Sequence, residues 1–357
     1  MALNRSGPNL SRIAASLGVS VASVSNALSG KGRVSAELGE RIRATATALG
    51  YVPSQAGRAL RTGRSAVLGL VLPDIANPLF PQIAQAMEYA ASIAGYGVLI
   101  ADSRGDIAQQ TEAINRLLER GVDGMIIVPR RGTRIADIGC PVAVVDTPST
   151  PGNTVSADHW QGGMQIARHL YDLGHRKIVL LGNNPASNVQ NDRIGGIKSA
   201  LDPTVTTEVL WIEKIEAENG AGCFLGLADK AGQGFTAFAA ISDLHALRAL
   251  TELQQAGISV PNSVSVTGFD DLIWSSVVTP GITTMRMDMK TIADIVVGAL
   301  VEAIERGVPE ETLSETAPRA SRLVTAAVSR VPMQLIARQS SGPAGPATSN
   351  PDGEHVR

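Results

Sequence analysis

Aromatic residues are scarce: three Trp, four Tyr and five Phe make up 3% of the 357 residues, so any core must be aliphatic and alanine-rich. The two cysteines, Cys140 and Cys223, are far apart and match no metal-ligand or redox spacing. They read as small buried hydrophobes in a reducing compartment. Five histidines (His159, His169, His175, His245, His355) form no His-Glu-x-x-His pair, and neither a P-loop nor a Gly-x-Ser-x-Gly elbow occurs. Gly95-x-Gly97 is too short for a dinucleotide fingerprint and marks a helix end entering a strand. No apolar run approaches the length of a bilayer span, and the N-terminus lacks a signal-peptide apolar stretch. These absences predict a soluble cytoplasmic protein with no catalytic residues, no metal and no cofactor.

What is present begins at residues 9–33, NLSRIAASLGVSVASVSNALSGKGR. Leu10, Ile13, Ala14 and Leu17 recur at helical spacing, Gly18 supplies a turn, and Val24 and Leu28 continue the apolar pattern on a second short helix. Ser20 is a good N-cap, which starts that second helix near Val21. Such a pair fits a helix-turn-helix, whose second helix enters the DNA major groove with its N-terminal residues facing base edges. The candidate readers are therefore Val21, Ala22 and Asn26: asparagine can pair bidentately with adenine, and small apolar groups suit a thymine methyl. Ser11, Ser23, Ser25, Lys31 and Arg33, with Ser20, are candidate phosphate contacts, which set register without reading sequence.

A helical hairpin alone also fits any α domain, and charge separates the two readings. Residues 1–65 carry nine Lys/Arg against Glu37 and Glu40, a formal charge of +7, while the whole chain is −2. The remainder is thus −9, and a basic end on an acidic body points to nucleic acid. Ser35 can cap a third helix to about residue 49, with Leu38, Ile42, Ala46 and Leu49 closing a three-helix core before Gly50 and Pro53 end it. Residues 54–62, SQAGRALRT, form a short basic linker containing Arg58, Leu60 and Arg61; a helix this short is marginal in water and is expected to order on DNA.

From Ala66 short β-rich runs alternate with helical stretches. Strands are expected at 67–72, 97–101, 125–128 and 142–145, with helices at 81–94 and 107–120. A second series has helices at 161–173, 193–201 and 244–256 and strands at 178–181, 238–241 and 264–268. This alternation predicts parallel sheets from βαβ units, in two doubly wound lobes. Residues 283–288 return the chain toward a helix at 292–305 on the first lobe. Ligands of open α/β sheets bind beyond the carboxyl ends of the strands. There lie Asp74 and Asn77, Asp102 and Ser103, Asp146 and Thr147 in one lobe, and Asn183, Ser242-Asp243 and Asp270-Asp271 in the other.

An ordered set of motifs then resembles the LacI/GalR family of transcriptional regulators. The residues are Val19-Ser20-Val21-Ala22-Ser23-Val24-Ser25, Gly50-Tyr51-Val52-Pro53, Arg58-Ala59-Leu60-Arg61-Thr62-Gly63-Arg64, Gly69 to Pro78 (GLVLPDIANP) and Gly268-Phe269-Asp270-Asp271. They run in family order and spacing from about residue 10 to 329. The resemblance implies a periplasmic-binding-protein-like effector core and a hinge helix whose Leu60 wedges into a minor-groove step. It also implies effector contacts at Arg193, in the pattern Arg193-Ile194-Gly195-Gly196-Ile197, and at Asp243 and Asp270, with Asp74, Asn77 and Phe80 from the first lobe beside Asp146 and Thr147. The pattern departs from the family at Ser242, usually Asn, at Asn26, often Arg, at Thr147, and at Glu213-Lys214-Ile215.

The expected organisation is an all-α head at 1–53, a hinge at 54–65, a two-lobed effector and dimerisation domain at 66–330, and a disordered tail at 331–357. The expected function is that of a homodimeric repressor binding double-stranded operator DNA under control of a sugar or related metabolite. A solute-binding protein without a DNA role is the alternative. The dimer contact falls on apolar faces such as 80–94 and 282–300, though packing on the sheets explains those faces equally well.

Overall fold

The structure is a computed structural model describing residues 9–29, 34–51, 63–135, 138–307, 323–327 and 329–345. The chain divides into two compact units, Met1–Ser65 and Ala66–Arg357.

The first unit holds three helices, α1 (Leu10–Leu17), α2 (Val21–Ser29) and α3 (Ala36–Ala48). Asn9 caps α1 by accepting from the Arg12 amide, and Gly18, at φ 66°, takes the left-handed conformation that stops it. Ser20 accepts from the Ser23 amide at 3.0 Å, and Ser35 caps α3. Ile13, Ala14, Val24, Ala27, Ile42 and Ala46 form a buried core against Leu10, Leu17, Leu28, Leu38 and Leu49. The helices expected from spacing and caps are therefore present. The linker at 54–62 with Arg58, Leu60 and Arg61, and the residues Lys31 and Arg33, lie outside the described residues.

The second unit contains two parallel sheets. The first has order β11-β5-β4-β3-β1-β2, from β1 (Val67–Leu72), β2 (Gly97–Asp102), β3 (Gly124–Ile127), β4 (Val142–Val145), β5 (Asn153–Ala157) and β11 (Arg330–Val331). Helices α4 (Leu79–Ile93), α5 (Ile107–Glu119) and α12 (Met289–Arg306) belong to this lobe. The second sheet has order β7-β6-β8-β9, from β6 (Lys177–Gly182), β7 (Thr206–Trp211), β8 (Ala237–Ala240) and β9 (Ser265–Thr267). Around it lie α6 (His159–Asp172), α7 (Asn188–Ala200), α8 (Ile212–Asn219), α9 (Leu227–Gly232), α10 (Asp243–Gln255) and α11 (Ile273–Val277). Strand β10 (Thr284–Met287) pairs antiparallel with β12 (Met333–Ile336). Continuous aliphatic strands such as β1 and β8, buried on both faces, are what parallel sheets under helices require.

Seven elements among the described residues escaped the sequence reading: β5, β7, β11, β12, α8, α9 and α11. Thr206–Trp211 and Asn153–Ala157 are polar-rich and carry little of the aliphatic signal that marks the other strands. Helix α7 also starts at Asn188, a turn and a half before Arg193, because Ser187 caps it by accepting from the Gln190 amide.

The tail reading is corrected. Residues 331–345 are ordered, Val331 in β11 of the first sheet and residues 338–344 against the second lobe, and the body therefore runs past residue 330. The Ser340 hydroxyl is fully buried, donating to the Val266 carbonyl at 2.6 Å and accepting from the Thr283 amide at 2.9 Å. His175 Nε2 reaches the Gly342 carbonyl at 3.1 Å, and the Ala344 amide donates to Leu173 O at 2.8 Å. Low apolar content suggested disorder, but this segment is held by backbone and hydroxyl pairs that composition does not reveal. Residues 346–357 lie outside the described residues.

The helix expected as a dimer face at 282–300 is largely spent on packing: Ile292, Ala293, Val296, Val297, Leu300 and Ile304 of α12 are buried in the main core. Helix α4 instead keeps an outward apolar pair one turn apart, Tyr89 and Ile93, beside the exposed Leu99 and Ile100 of edge strand β2.

Candidate DNA-binding surface and effector cleft

On the head, Val21, Ala22 and Asn26 of α2 are exposed while Val24 and Ala27 turn inward. A period of 3.6 places residues 21, 22 and, about one turn on, 25 and 26 on one side, so burial of 24 and 27 leaves the expected readers outward. Ser11 and Ser20 are exposed, and Ser23 and Ser25 half-buried. Ser20 and Ser23 also share a hydroxyl pair at 2.9 Å, which fixes the first turn of α2.

In the body, Arg193 is the centre of a buried network. The α7 helix carries its guanidinium to Asp270 at 2.8 Å, to the Ile241 carbonyl after β8 at 2.6 Å, and over the Phe269 ring at 4.4 Å from its centroid. Nε also donates to His159 Nδ1, at 3.4 Å, so the histidine is neutral with its proton on Nε2. Burial and the neighbouring guanidinium hold His159 well below the usual histidine range. Burial pushes the Asp270 carboxyl up, and Arg193 pulls it back toward the ionised form. Asp270 and Asp271 both have positive φ, 106° and 52°, unusual for residues with a side chain. Asp271 is tied by Arg286 and Arg338, each at 2.6 Å, so ion pairs anchor both strained positions.

Asp243 is equally buried but structural in its contacts. Ser242, not Asp243, caps α10. The Asp243 carboxylate accepts from the Leu272 amide at 2.7 Å, Ser275 Oγ at 2.6 Å and Thr284 Oγ1 at 2.5 Å, tying α10 to the loop after β9, to α11 and to β10. Burial, then the charge of Asp270, raises its carboxyl to about 7 against those three donors. A Cβ on Gly268 would stand 2.2 Å from Asp243 Oδ1, which is why glycine opens the Gly-Phe-Asp-Asp motif.

Asp146 faces the second lobe. Burial lifts its carboxyl to about 6, opposed by donors Thr150 and Asn188 and raised further by Asp192. Asn188 at the start of α7 donates to Thr150 Oγ1 at 3.1 Å, a direct bond between the lobes. Thr147 is fully buried, its hydroxyl 2.7 Å from Ser149 Oγ. Asp74 and Asn77 spend side-chain oxygens locally, on the Ala76 and Leu79 amides, and Phe80 packs against the core. The structure thus brings Arg193, Asp270 and Asp243 together, with Asp146 across from α7.

Sequence reasoning missed His159, Trp160 and Asp192. A pocket of about 300 Å³ between the lobes is lined by Pro148, Ser149, Asp158, His159, Trp160, Asp192 and Arg330. The only sequence signal for it was the glycine pairs. A Cβ on Gly163 would lie 2.3 Å from the Arg193 carbonyl, and one on Gly196 would lie 2.0 Å from the Trp160 carbonyl. Helices α6 and α7 therefore cross with backbones touching, which sets His159 and Trp160 beside Arg193.

An exposed face on the second helix of a cored three-helix head, in one chain with two parallel-sheet lobes facing a polar cleft, is the architecture of a ligand-responsive DNA-binding protein. Residues 9–54 match the bacterial regulatory proteins of the lacI family, and residues 167–341 match the periplasmic binding protein-like domain. An HTH-type transcriptional regulator of Streptomyces limosus is 30% identical over 325 residues, covering 85% of this chain and 90% of that protein. MalR of Streptomyces coelicolor is 31% identical over 314 residues, covering 83% and 90%. The lac repressor dimer bound to operator and the anti-inducer ONPF superposes with TM-score 0.76 at 23% identity, over 94% of this chain and 99% of that one. The chain belongs to the lacI family of bacterial regulatory proteins.

Proposed function

We infer that the protein is a sequence-specific transcriptional regulator, acting as a repressor, whose operator affinity is set by a small polar metabolite bound between the two lobes. The observation that carries this reading is the exposed Val21-Ala22-Asn26 surface on a basic head, in one chain with a two-lobed polar cleft. Val21, Ala22 and Asn26 read base edges. Ser11, Ser20, Ser23, Ser25, Lys31, Arg33, Arg58 and Arg61 hold phosphates, and Leu60 wedges into a minor-groove step, where unstacking is offset by contacts that a bent duplex allows. Arg193, Asp270 and Asp146 contact the effector, Asp243 and Thr147 hold them from behind, and Asp74, Asn77 and Phe80 close from the first lobe. An arginine with carboxylates suits ligand hydroxyls, which favours a sugar or related metabolite.

Two heads on a pseudo-palindromic operator require a homodimer. The α4 and β2 face with Tyr89, Ile93, Leu99 and Ile100 is the surface we assign to it. The effector acts through its different affinity for two lobe arrangements, which changes the spacing of the hinges. Its role is binding rather than catalysis, exerted at chromosomal DNA. A solute-binding protein without a DNA role is disfavoured by the head.

The test is selection of duplexes from a random pool by the full chain, followed by Leu60→Ala on the selected site. Enrichment of a palindrome, and loss of its binding in Leu60→Ala with folding intact, is expected. A pool that yields no preferred sequence would overturn the regulator reading, and unchanged affinity in the variant would remove the wedge.

A further inference from the structure

Helix α2 reads VASVSNALS and contains no Lys, Arg, Asp, Glu, Gln or His. The basic residues of the head all lie outside it; on the other two helices they are Arg12 of α1 and Arg41 and Arg43 of α3, each exposed. A helix without charged side chains neutralises no phosphate, so what it adds to binding is contact with base edges. Its means for that contact are few. Val24 and Ala27 are buried, and Ser23 is joined to the capping Ser20, hydroxyl to hydroxyl at 2.9 Å and amide to hydroxyl at 3.0 Å. Ser25 is half-buried, and a single hydroxyl serves any base. Val21, Ala22 and Asn26 are exposed.

In the major groove guanine is read at two points by arginine or lysine, and cytosine by a carboxylate, none of which α2 has. Asn26 is the one side chain of α2 that can bond a single base edge twice, donating its amide N–H to adenine N7 and accepting from the N6 amino group. Val21, 44% exposed, and Ala22 offer apolar contact alone, which the C5-methyl of thymine matches. One turn of helix separates Ala22 from Asn26, a rise of about 6 Å. Successive bases lie about 3.4 Å apart, so the methyl falls within about two steps of the adenine.

We propose that each operator half-site is fixed in the major groove by one adenine read by Asn26, with thymine methyls within two steps of it against Val21 and Ala22, and that α2 selects neither guanine nor cytosine. This rests on the regulator reading of the head and adds the bases that the head selects. Attraction and selection are thereby divided: basic residues outside α2 supply the salt-dependent pull on phosphates, and the uncharged α2 supplies sequence.

The experiment repeats the selection of duplexes from a random pool with Asn26→Ala in the full chain, which locates the position that depends on residue 26; circular dichroism checks folding. The unsubstituted chain should prefer adenine there by about tenfold, within the roughly 5- to 150-fold that one bidentate contact discriminates, and Asn26→Ala should lose the preference. On the selected duplex, 7-deazaadenine at that position removes only the N7 acceptor; it should weaken the unsubstituted chain several-fold and leave Asn26→Ala unaffected. Uracil for the neighbouring thymines removes only the methyl and should also weaken binding several-fold. The slope of log affinity against log salt should be equal in the two proteins, because no charge is lost. Guanine or cytosine at the position that depends on Asn26, an unchanged selected sequence in Asn26→Ala, full affinity on either modified duplex, or a shallower salt slope in the variant overturns the proposal, while a selected palindrome keeps the regulator reading. A pool that yields no preferred sequence overturns both.

Discussion

Replacing Arg193 by methionine tests the buried network directly. The guanidinium ion-pairs with Asp270 at 2.8 Å and satisfies the Ile241 carbonyl at 2.6 Å. Methionine keeps much of the apolar stem over Phe269 and removes the charge and the donors. Asp270 then stays buried without its counter-charge, and breaking such a pair by removing one partner costs about 3–5 kcal/mol. The carboxyl limits the loss by taking up a proton, since burial pushes it up and Arg193 is the group that pulls it down. A carboxyl whose folded-state pKa lies above its unfolded value of about 3.9 binds more protons in the folded state. Stability then falls as pH rises above about 4, so Arg193→Met should be less destabilised at pH 5 than at pH 8. All three tryptophans, Trp160, Trp211 and Trp274, lie in the second unit. Urea unfolding followed by tryptophan fluorescence therefore reports the body alone. Adding Asp270→Asn should recover a large part of the loss and flatten the pH dependence. Equal destabilisation at both pH values, with no recovery in the double variant, would refute the buried-pair reasoning.

Three further outcomes are expected. Gly163→Ala forces a Cβ against the Arg193 backbone carbonyl; because neither helix can yield locally, the loss should reach the upper part of the usual overpacking range, about 1–3 kcal/mol, and effector binding should fall with it, read by urea unfolding and titration. Ser340→Ala leaves the Val266 carbonyl and the Thr283 amide without their hydroxyl partner; a loss of about 1–3 kcal/mol is expected, and one below 0.5 kcal/mol, by rough mutational scales, would show that the terminal segment does not hold the second lobe. Ile93→Glu places a charge on the face assigned to the second copy, so sedimentation should show monomer and affinity for the selected duplex should drop; an intact dimer would move the interface elsewhere.

Sequence and structure divide the information unevenly. The head was legible almost residue by residue, because α1 to α3 are defined by local signals: Asn9, Ser20 and Ser35 as caps, Gly18 as a stop, and one apolar face per helix. The aliphatic strands of both lobes were legible for a similar reason, since a strand buried on both faces needs an unbroken apolar run. Polar strands such as β7 were not, nor was the terminal segment around Ser340, whose order depends on partners at Val266 and Thr283.

The identities of Arg193, Asp243 and Asp270 could be named from motif order, but their division of labour could not. An aspartate in sequence carries the same information whether its neighbours are solvent, a guanidinium or three hydrogen-bond donors. Only tertiary structure decided that Asp270 pairs with Arg193 while Asp243 ties α10 to the loop after β9. Likewise Trp160 and Asp192 have no motif of their own. They meet at one pocket because Gly163 and Gly196 let two helices cross in backbone contact. Local chemistry determined the elements and the family; distances between residues far apart in the chain, which no local pattern encodes, decided the site.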